Sequence, residues 1–222
     1  MIILHHLNNS RSQRILWMLE ELGLEYELKH YQRDLKTMLA PPELEQVHPL
    51  GKSPVLTDGD ITVAESGAII EYLAATYGEG TLLPPLGSPE HRQYIYWLHY
   101  AEGSLMPQLL LQLVFSKVKS APMPFFIRPV AKAIANNVMS AFVQPNIDRN
   151  MRFIEQHLAD NSFFAGERMS GADIQMSFPL EAAVARASLG NKFPNIVAYV
   201  ARFQALPAYR RALEVGGPYD YA

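Results

Sequence analysis

Between Gly78 and Pro89 six glycines and prolines fall within twelve residues, and the chain obeys different rules on the two sides of them. Gly78, Gly80, Pro84, Pro85, Gly87 and Pro89 each interrupt regular structure, so this stretch reads as a linker. Before it, short β-favouring runs alternate with helical ones; after it, no convincing strand can be found. A chain divided in this way folds as an α/β unit followed by an all-α unit, with boundaries at 1–83, 84–89 and 90–222.

In the first unit, residues 2–6 favour a strand, and Asn8-Asn9-Ser10 follow as a turn and cap cluster. Ser10 and Gln13 have the spacing of a capping box, and Ile15, Leu16, Leu19 and Leu22 repeat at helical intervals until Gly23. Tyr26–Tyr31 alternates like a half-exposed strand, and 36–47 reads as an irregular helical turn. The runs 54–57 and 61–63 flank Asp58-Gly59-Asp60, a hairpin signal, and Ser66 opens a helix to about Tyr77. The order β-α-β-α-β-β-α predicts one mixed four-stranded sheet covered by helices. Beyond the linker, 89–118, 130–158, 172–188, 195–206 and 207–215 read as helices, with Pro122 and Pro124 parting the first two. Ser170-Gly171-Ala172-Asp173 is a second cap signal.

Several function classes are excluded by composition. The net charge is −3 and no run of basic residues offers a stripe for tracking phosphates, so nucleic acid is not an expected partner. The first residues have neither a basic region nor a long apolar stretch, and the most apolar segment, 109–115, is too short to cross a bilayer. The expectation is a cytoplasmic protein without a transmembrane segment. There is no cysteine, which rules out disulfides, thiolate metal sites and a cysteine nucleophile. Any sulfur chemistry has to use a ligand's sulfur, and no metal is expected.

Three short clusters carry possible chemistry. Pro54 begins a strand, where a proline is tolerated because it need not donate to the ladder. A cis bond after Ser53 would instead turn the Ser53 backbone outward to pair with a peptide, with Lys52 beside it to meet a carboxylate. Ser66 reads equally as a simple N-cap and as part of an anion site, since free N–H groups and the dipole at a helix start favour a carboxylate. Glu65 next to it suits an ammonium, so the pair suits an α-amino acid group. Asn9, Ser10 and Arg11 precede the first helix. They read either as a cap with a solvated arginine or as an amide, a hydroxyl and a guanidinium placed to stabilise a thiolate. Tyr100, Met106, Leu109, Leu110 and Leu113 lie near helical spacing, which fits bundle core as well as an apolar pocket wall.

Taken together, the segments 9–14, 48–56 and 64–69 resemble the N-terminal domain of the glutathione transferases. Residues 31–34 with 40–44 are similar to the fungal branch typified by yeast glutathione transferase I and its bacterial relatives. The run 170–173 matches the family's C-terminal capping box, and 178–182 and 216–219 resemble bacterial members. The resemblance implies a thioredoxin-like first domain, a helical C-terminal bundle with a hydrophobic substrate site, and glutathione as co-substrate. It implies that Pro54 is cis, that Ser53 pairs with the cysteinyl unit, that Glu65 and Ser66 hold the γ-glutamyl group, and that Lys52 lies near the glycyl carboxylate. Asp173 would cap a helix and act in folding. A homodimer is implied too. The standard thiol activators are missing, because their tyrosine aligns with His5 and their serine with Leu7. Ser10, supported by Arg11 and Asn9, is the expected substitute. The implied activity is conjugation of glutathione to hydrophobic electrophiles, with reduction of organic hydroperoxides as a side reaction. The rival is a protein of this fold that binds glutathione or a partner protein without turnover.

Overall fold

The computed structural model describes residues 1–34, 36–186 and 192–222. Its N-terminal part holds the strands β1 (Ile2–Leu7), β2 (Tyr26–Tyr31), β3 (Val55–Asp58) and β4 (Ile61–Ala64) and the helices α1 (Ser12–Glu21) and α2 (Ser66–Tyr77). One sheet forms in the order β2-β1-β3-β4. β1 runs parallel to β2 and antiparallel to β3, so the sheet is mixed. A 3-10 turn, Pro42–Gln46, is the regular part of the irregular segment 36–47.

Local chemistry explains most of these boundaries. Gly23 ends α1 at φ 63°, where a side chain would be strained, and a Schellman closure forms: Gly23 N–H donates to Glu20 O at 3.3 Å and Leu24 N–H to Leu19 O at 3.1 Å. Gly59, at φ 56°, makes the two-residue turn between β3 and β4. The capping box expected at Ser10 and Gln13 does not form. α1 begins at Ser12, the Ser10 hydroxyl accepts from Ser12 N–H at 3.1 Å, and the Gln13 side chain donates to Ala212 O at 3.0 Å instead. A carbonyl distant in the chain has outcompeted the local partner.

The rest of the described chain is helical: α3 (Pro89–Tyr100), α4 (Met106–Ser120), α5 (Arg128–Val138), α6 (Gln144–Asp160), α7 (Gly171–Arg186), α8 (Pro194–Gln204) and α9 (Pro207–Gly216). The predicted extension of α7 to Ser188 lies outside the described residues. Single π turns, Ala101–Leu105 and Met139–Val143, join α3 to α4 and α5 to α6, so each pair runs on as one helix. At the start of α7 the capping box does form. Ser170 N–H and Oγ donate to Asp173 Oδ2 at 2.8 and 2.9 Å, the reciprocal half of the box, and the Ser170 hydroxyl accepts from Ala172 N–H at 3.3 Å.

One apolar interior runs through both parts. It includes Leu4, Ile15, Leu16, Trp17, Ile70 and Leu73 from the first and Trp97, Ile154, Ile174 and Phe203 from the second. Each aliphatic side chain buried in this way contributes roughly 1.5–3 kcal/mol by leaving water. Trp17 lies stacked on Phe203 (centroids 5.3 Å apart) and meets Tyr209 edge-on at 5.5 Å. Gly171 allows α7 to sit close against α2, because a Cβ there would come within 2.4 Å of Ile70 Cγ2.

Candidate functional site

The cavity that gathers the sequence clusters has a volume of about 350 Å³ and is lined by Arg11, Lys52, Ser53, Pro54, Glu65 and Ser66, together with His48, Leu50, Ala64, Glu102 and Leu110. Three elements of the sheet unit reach it: the start of α1, the entry to β3 and the start of α2. The Ser53–Pro54 bond is cis, and Ser53 Oγ donates to His5 O at 2.8 Å, tying the entry of β3 to β1. Glu65 precedes α2 with φ 71° and ψ 123°, a conformation that L-residues rarely adopt, and its side chain is exposed at the cavity. Strain of this kind, of order 1–3 kcal/mol, is retained where a site needs a particular orientation. Ile69 N–H donates to Glu65 O at 2.9 Å, which leaves the first N–H groups of α2 beyond the reach of that ladder.

Behind Ser66 lies a charge cluster, centred on a buried arginine, that sequence reasoning missed. Arg14, only 2% exposed, donates through Nη1 to Gln175 O at 2.6 Å and through Nη2 to Glu102 Oε1 at 2.6 Å and to Ser66 Oγ. Arg11 Nε donates to the same Glu102 oxygen at 2.8 Å. Burial alone would push the Glu102 carboxyl up, but Arg14 and Arg11 together hold it below the usual carboxylate range. Two cations, Arg11 and Lys52, and two acids, Glu65 and Glu102, therefore line one small space, with Arg14 behind it. Two signals for this cluster were present. Arg14 interrupts the apolar stripe of α1, three residues after Arg11 on the same face. Glu102 is the only acid between Glu90 and Asp148 and sits in a π turn, a distortion often found at functional sites.

The residues of the first turn are placed differently from one another. Arg11 lines the cavity with its side chain 36% exposed. The Ser10 hydroxyl is buried and lies 2.8 Å from Ser12 Oγ, which is itself 2.9 Å from His6 Nδ1. Asn9, at φ 48°, donates through Nδ2 to Asp220 Oδ2 at 2.9 Å and accepts from Asp220 N–H at 2.9 Å, so the C-terminal residues clasp this turn. Neither Asn9 nor Ser10 is among the lining residues. His5 and His6 are buried in β1, and burial lowers both pKa values, that of His6 to about 4. Of the apolar stripe, Tyr100, Met106 and Leu109 are buried core, whereas Leu110 is 53% exposed and forms part of the cavity wall.

The C-terminal clasp also rests on Glu181, which accepts from Tyr219 OH at 2.8 Å, from Gln204 Nε2 at 3.3 Å and from Tyr209 OH. Burial pushes its carboxyl up to about 7, against the lowering influence of those donors. An acid with a raised folded pKa binds its proton more tightly folded than unfolded. Its share of stability is therefore full below the unfolded value of 4.5 and is lost as pH rises to about 7. Glu181→Gln, neutral at every pH, is expected to remove about 3 kcal/mol of that decline. Urea unfolding at both ends of the window measures it, and equal pH dependence in the two proteins would refute it.

Comparison with known proteins decides what this arrangement belongs to. The family model "Glutathione S-transferase, N-terminal domain" matches residues 1–75, and "Glutathione S-transferase, C-terminal domain" matches 123–207. Glutathione S-transferase 3 of Schizosaccharomyces pombe is 38% identical over 96% of this chain and 87% of its own length. The chain belongs to the glutathione S-transferase family. Glutathione S-transferase 1 of Saccharomyces cerevisiae is also 38% identical, over 83% of this chain and 82% of its own. A crystal structure of a glutathione S-transferase from Actinobacillus pleuropneumoniae superposes with a TM-score of 0.79 at 34% identity, covering 100% of this chain and 95% of that one. The family's two-part plan, a mixed sheet with helices and then a helical bundle, is the one seen here.

Proposed function

We propose that this protein conjugates glutathione to apolar electrophiles in the cavity between units 1–83 and 90–222, which 84–89 connect. The observation that carries the reading is the meeting of Lys52, the cis Ser53–Pro54 edge, Glu65 and Ser66 in one cavity of about 350 Å³. A γ-glutamyl tripeptide has an ammonium and a carboxylate at one end and a second carboxylate at the other. Glu65, with Glu102 beyond it, suits the ammonium, and Ser66 with the free N–H groups of α2 suits the adjacent carboxylate. Lys52 suits the glycyl carboxylate, and the Ser53 backbone beside Pro54 suits the cysteinyl amide.

Bound in that direction, the thiol lies toward the start of α1. Arg11, the one member of the Asn9-Ser10-Arg11 cluster that lines the cavity, is the group we assign to favouring the thiolate by its charge. Asn9 and Ser10 hold the turn that presents it, Asn9 through Asp220 and Ser10 through Ser12. The thiolate then bonds to an electrophilic carbon as the leaving group departs, or attacks a peroxide oxygen as alkoxide leaves. The protein's part is ionisation and alignment. Leu110 supplies apolar wall for the second substrate. The reading extends to a cytoplasmic homodimer with a role in detoxification.

Glu65→Ala and Ser66→Ala are each expected to weaken glutathione binding about tenfold, the effect of one lost charge-assisted hydrogen bond. Calorimetric titration measures it, with turnover of chlorodinitrobenzene as the companion assay. Unchanged affinity in both variants would remove the amino-acid clamp and the reading with it.

A further inference from the structure

From Gly103 to Ile147 the chain has no acidic residue and four cations, Lys117, Lys119, Arg128 and Lys132, although its total charge is −3. Lys117 and Lys119 end α4 and Arg128 and Lys132 begin α5, so they flank the most exposed apolar groups of the helical part. The turn 121–127 joining α4 to α5 projects with Phe125 81% and Phe126 66% exposed, their rings edge-to-face at 5.6 Å. Ile127, Val130 and Ile134 continue the exposed apolar surface along one face of α5, and Val114 and Val118 do so on α4. An aromatic tip inside a cationic collar is an unusual thing to present to water.

The backbone of the tip suits a medium of low polarity. Pro122, Pro124 and Pro129 have no N–H to desolvate. Ile127 N–H donates to Pro124 O at 3.0 Å, and Arg128 Nε caps Met123 O at 3.1 Å. Among the described residues no helix is long and apolar enough to cross a membrane, and an exposed aromatic tip suits contact at the interface.

We infer that the α4–α5 tip docks on anionic lipid bilayers, with Phe125 and Phe126 wedged among the headgroups and the four cations paired with lipid phosphates. Charge complementarity selects this occupant. Anionic headgroups attract a basic collar while the aromatics gain burial, each group adding to the other. In a symmetric contact with a second copy, the collar would face itself and repel. The inference does not depend on how the cavity is used, but it gives the cavity a setting. Leu110 in the cavity wall and Ser120 at the end of α4 are roughly 15 Å apart at 1.5 Å per residue, so an apolar substrate dissolved in the bilayer has a short path.

Co-sedimentation of the full chain with phosphatidylcholine vesicles, with and without phosphatidylglycerol, tests this. Binding is expected only with the anionic lipid and is expected to fall in high salt. The Phe125→Ser/Phe126→Ser double variant and the Lys117→Glu/Lys132→Glu variant are each expected to lose at least roughly tenfold in partitioning. Far-UV circular dichroism and gel filtration should be unaltered in both, since the changed side chains are exposed. Trp17 and Trp97 are buried, so Phe125→Trp supplies a distinct reporter, expected to be quenched by brominated acyl chains. Absence of binding, undiminished binding by the double variants, or an unquenched Phe125→Trp protein on vesicles would each overturn the inference. A change of oligomeric state in the Phe125→Ser/Phe126→Ser protein would overturn it too, in favour of contact with a second copy.

Discussion

Replacing Arg14 by methionine is expected to cost about 3–5 kcal/mol of stability, because it removes a buried cation and leaves the Gln175 carbonyl and Ser66 Oγ without their donor beside a half-buried carboxylate. The Arg14 guanidinium joins three separate stretches of chain: Ser66 at the start of α2, the Gln175 carbonyl in α7 and the Glu102 carboxylate in the π turn after α3. Burial disfavours its charge and Glu102 restores it, so each member depends on the other. Methionine fills much of the space but supplies no donor. Glu102 would keep only Arg11, whose side chain is partly in water. Lysine is expected to recover little, since one ammonium cannot reproduce the planar fork that serves these acceptors. Denaturant unfolding gives the number, and a loss below about 1 kcal/mol would mean that Arg14 is not the joint described here. Ser66 also loses the partner that orients it, so glutathione affinity in the folded variant should fall as well.

Asp173→Ala is expected to cost about 4 kcal/mol without altering glutathione affinity in the molecules that remain folded. The carboxylate is fully buried and accepts from Ser170 N–H and Oγ, from Phe164 N–H at 2.9 Å and from Tyr199 OH at 2.6 Å. Burial pushes its pKa up and these donors oppose the shift. Alanine would leave a phenol and two amide N–H groups in the interior with no acceptor, which is costly in a way that the loss of a surface cap is not. Thermal unfolding together with calorimetric titration separates the two parts. A change in affinity as large as the change in stability would move Asp173 from scaffold to site.

Much of this protein could be read from local signals, and the failures share one cause. The Asp58-Gly59-Asp60 turn, the helix from Ser66 to Tyr77 and the capping box at Ser170 are each settled within a few residues, and each folds as its sequence suggests. The capping box at Ser10 has an equally good sequence and does not form, because Gln13 finds Ala212 across the molecule. Leu109 and Leu110 are adjacent and identical in kind, yet one is buried and the other faces the cavity. Only the phase of α4, shifted by the π turn before it, distinguishes them. The set proposed for glutathione, Lys52, Ser53, Glu65 and Ser66, drew notice because Ser53 and Pro54 lead into β3 and Glu65 and Ser66 open α2, with Lys52 in the loop beside them. Arg14 and Glu102 were harder to see because their significance lies in a contact between residues 88 positions apart.

Trp17, on a helix of the sheet unit, lies against Phe203 and Tyr209 from the far end of the chain. With such an interlocked interior the two walls of the cavity cannot swing apart like jaws on a hinge, since opening them would expose that stack to water. On the proposed function, ligand exchange then falls to side chains at the rim, Arg11, Leu50 and Leu110 among them. Such a slot would select its visitors by shape before any chemistry begins.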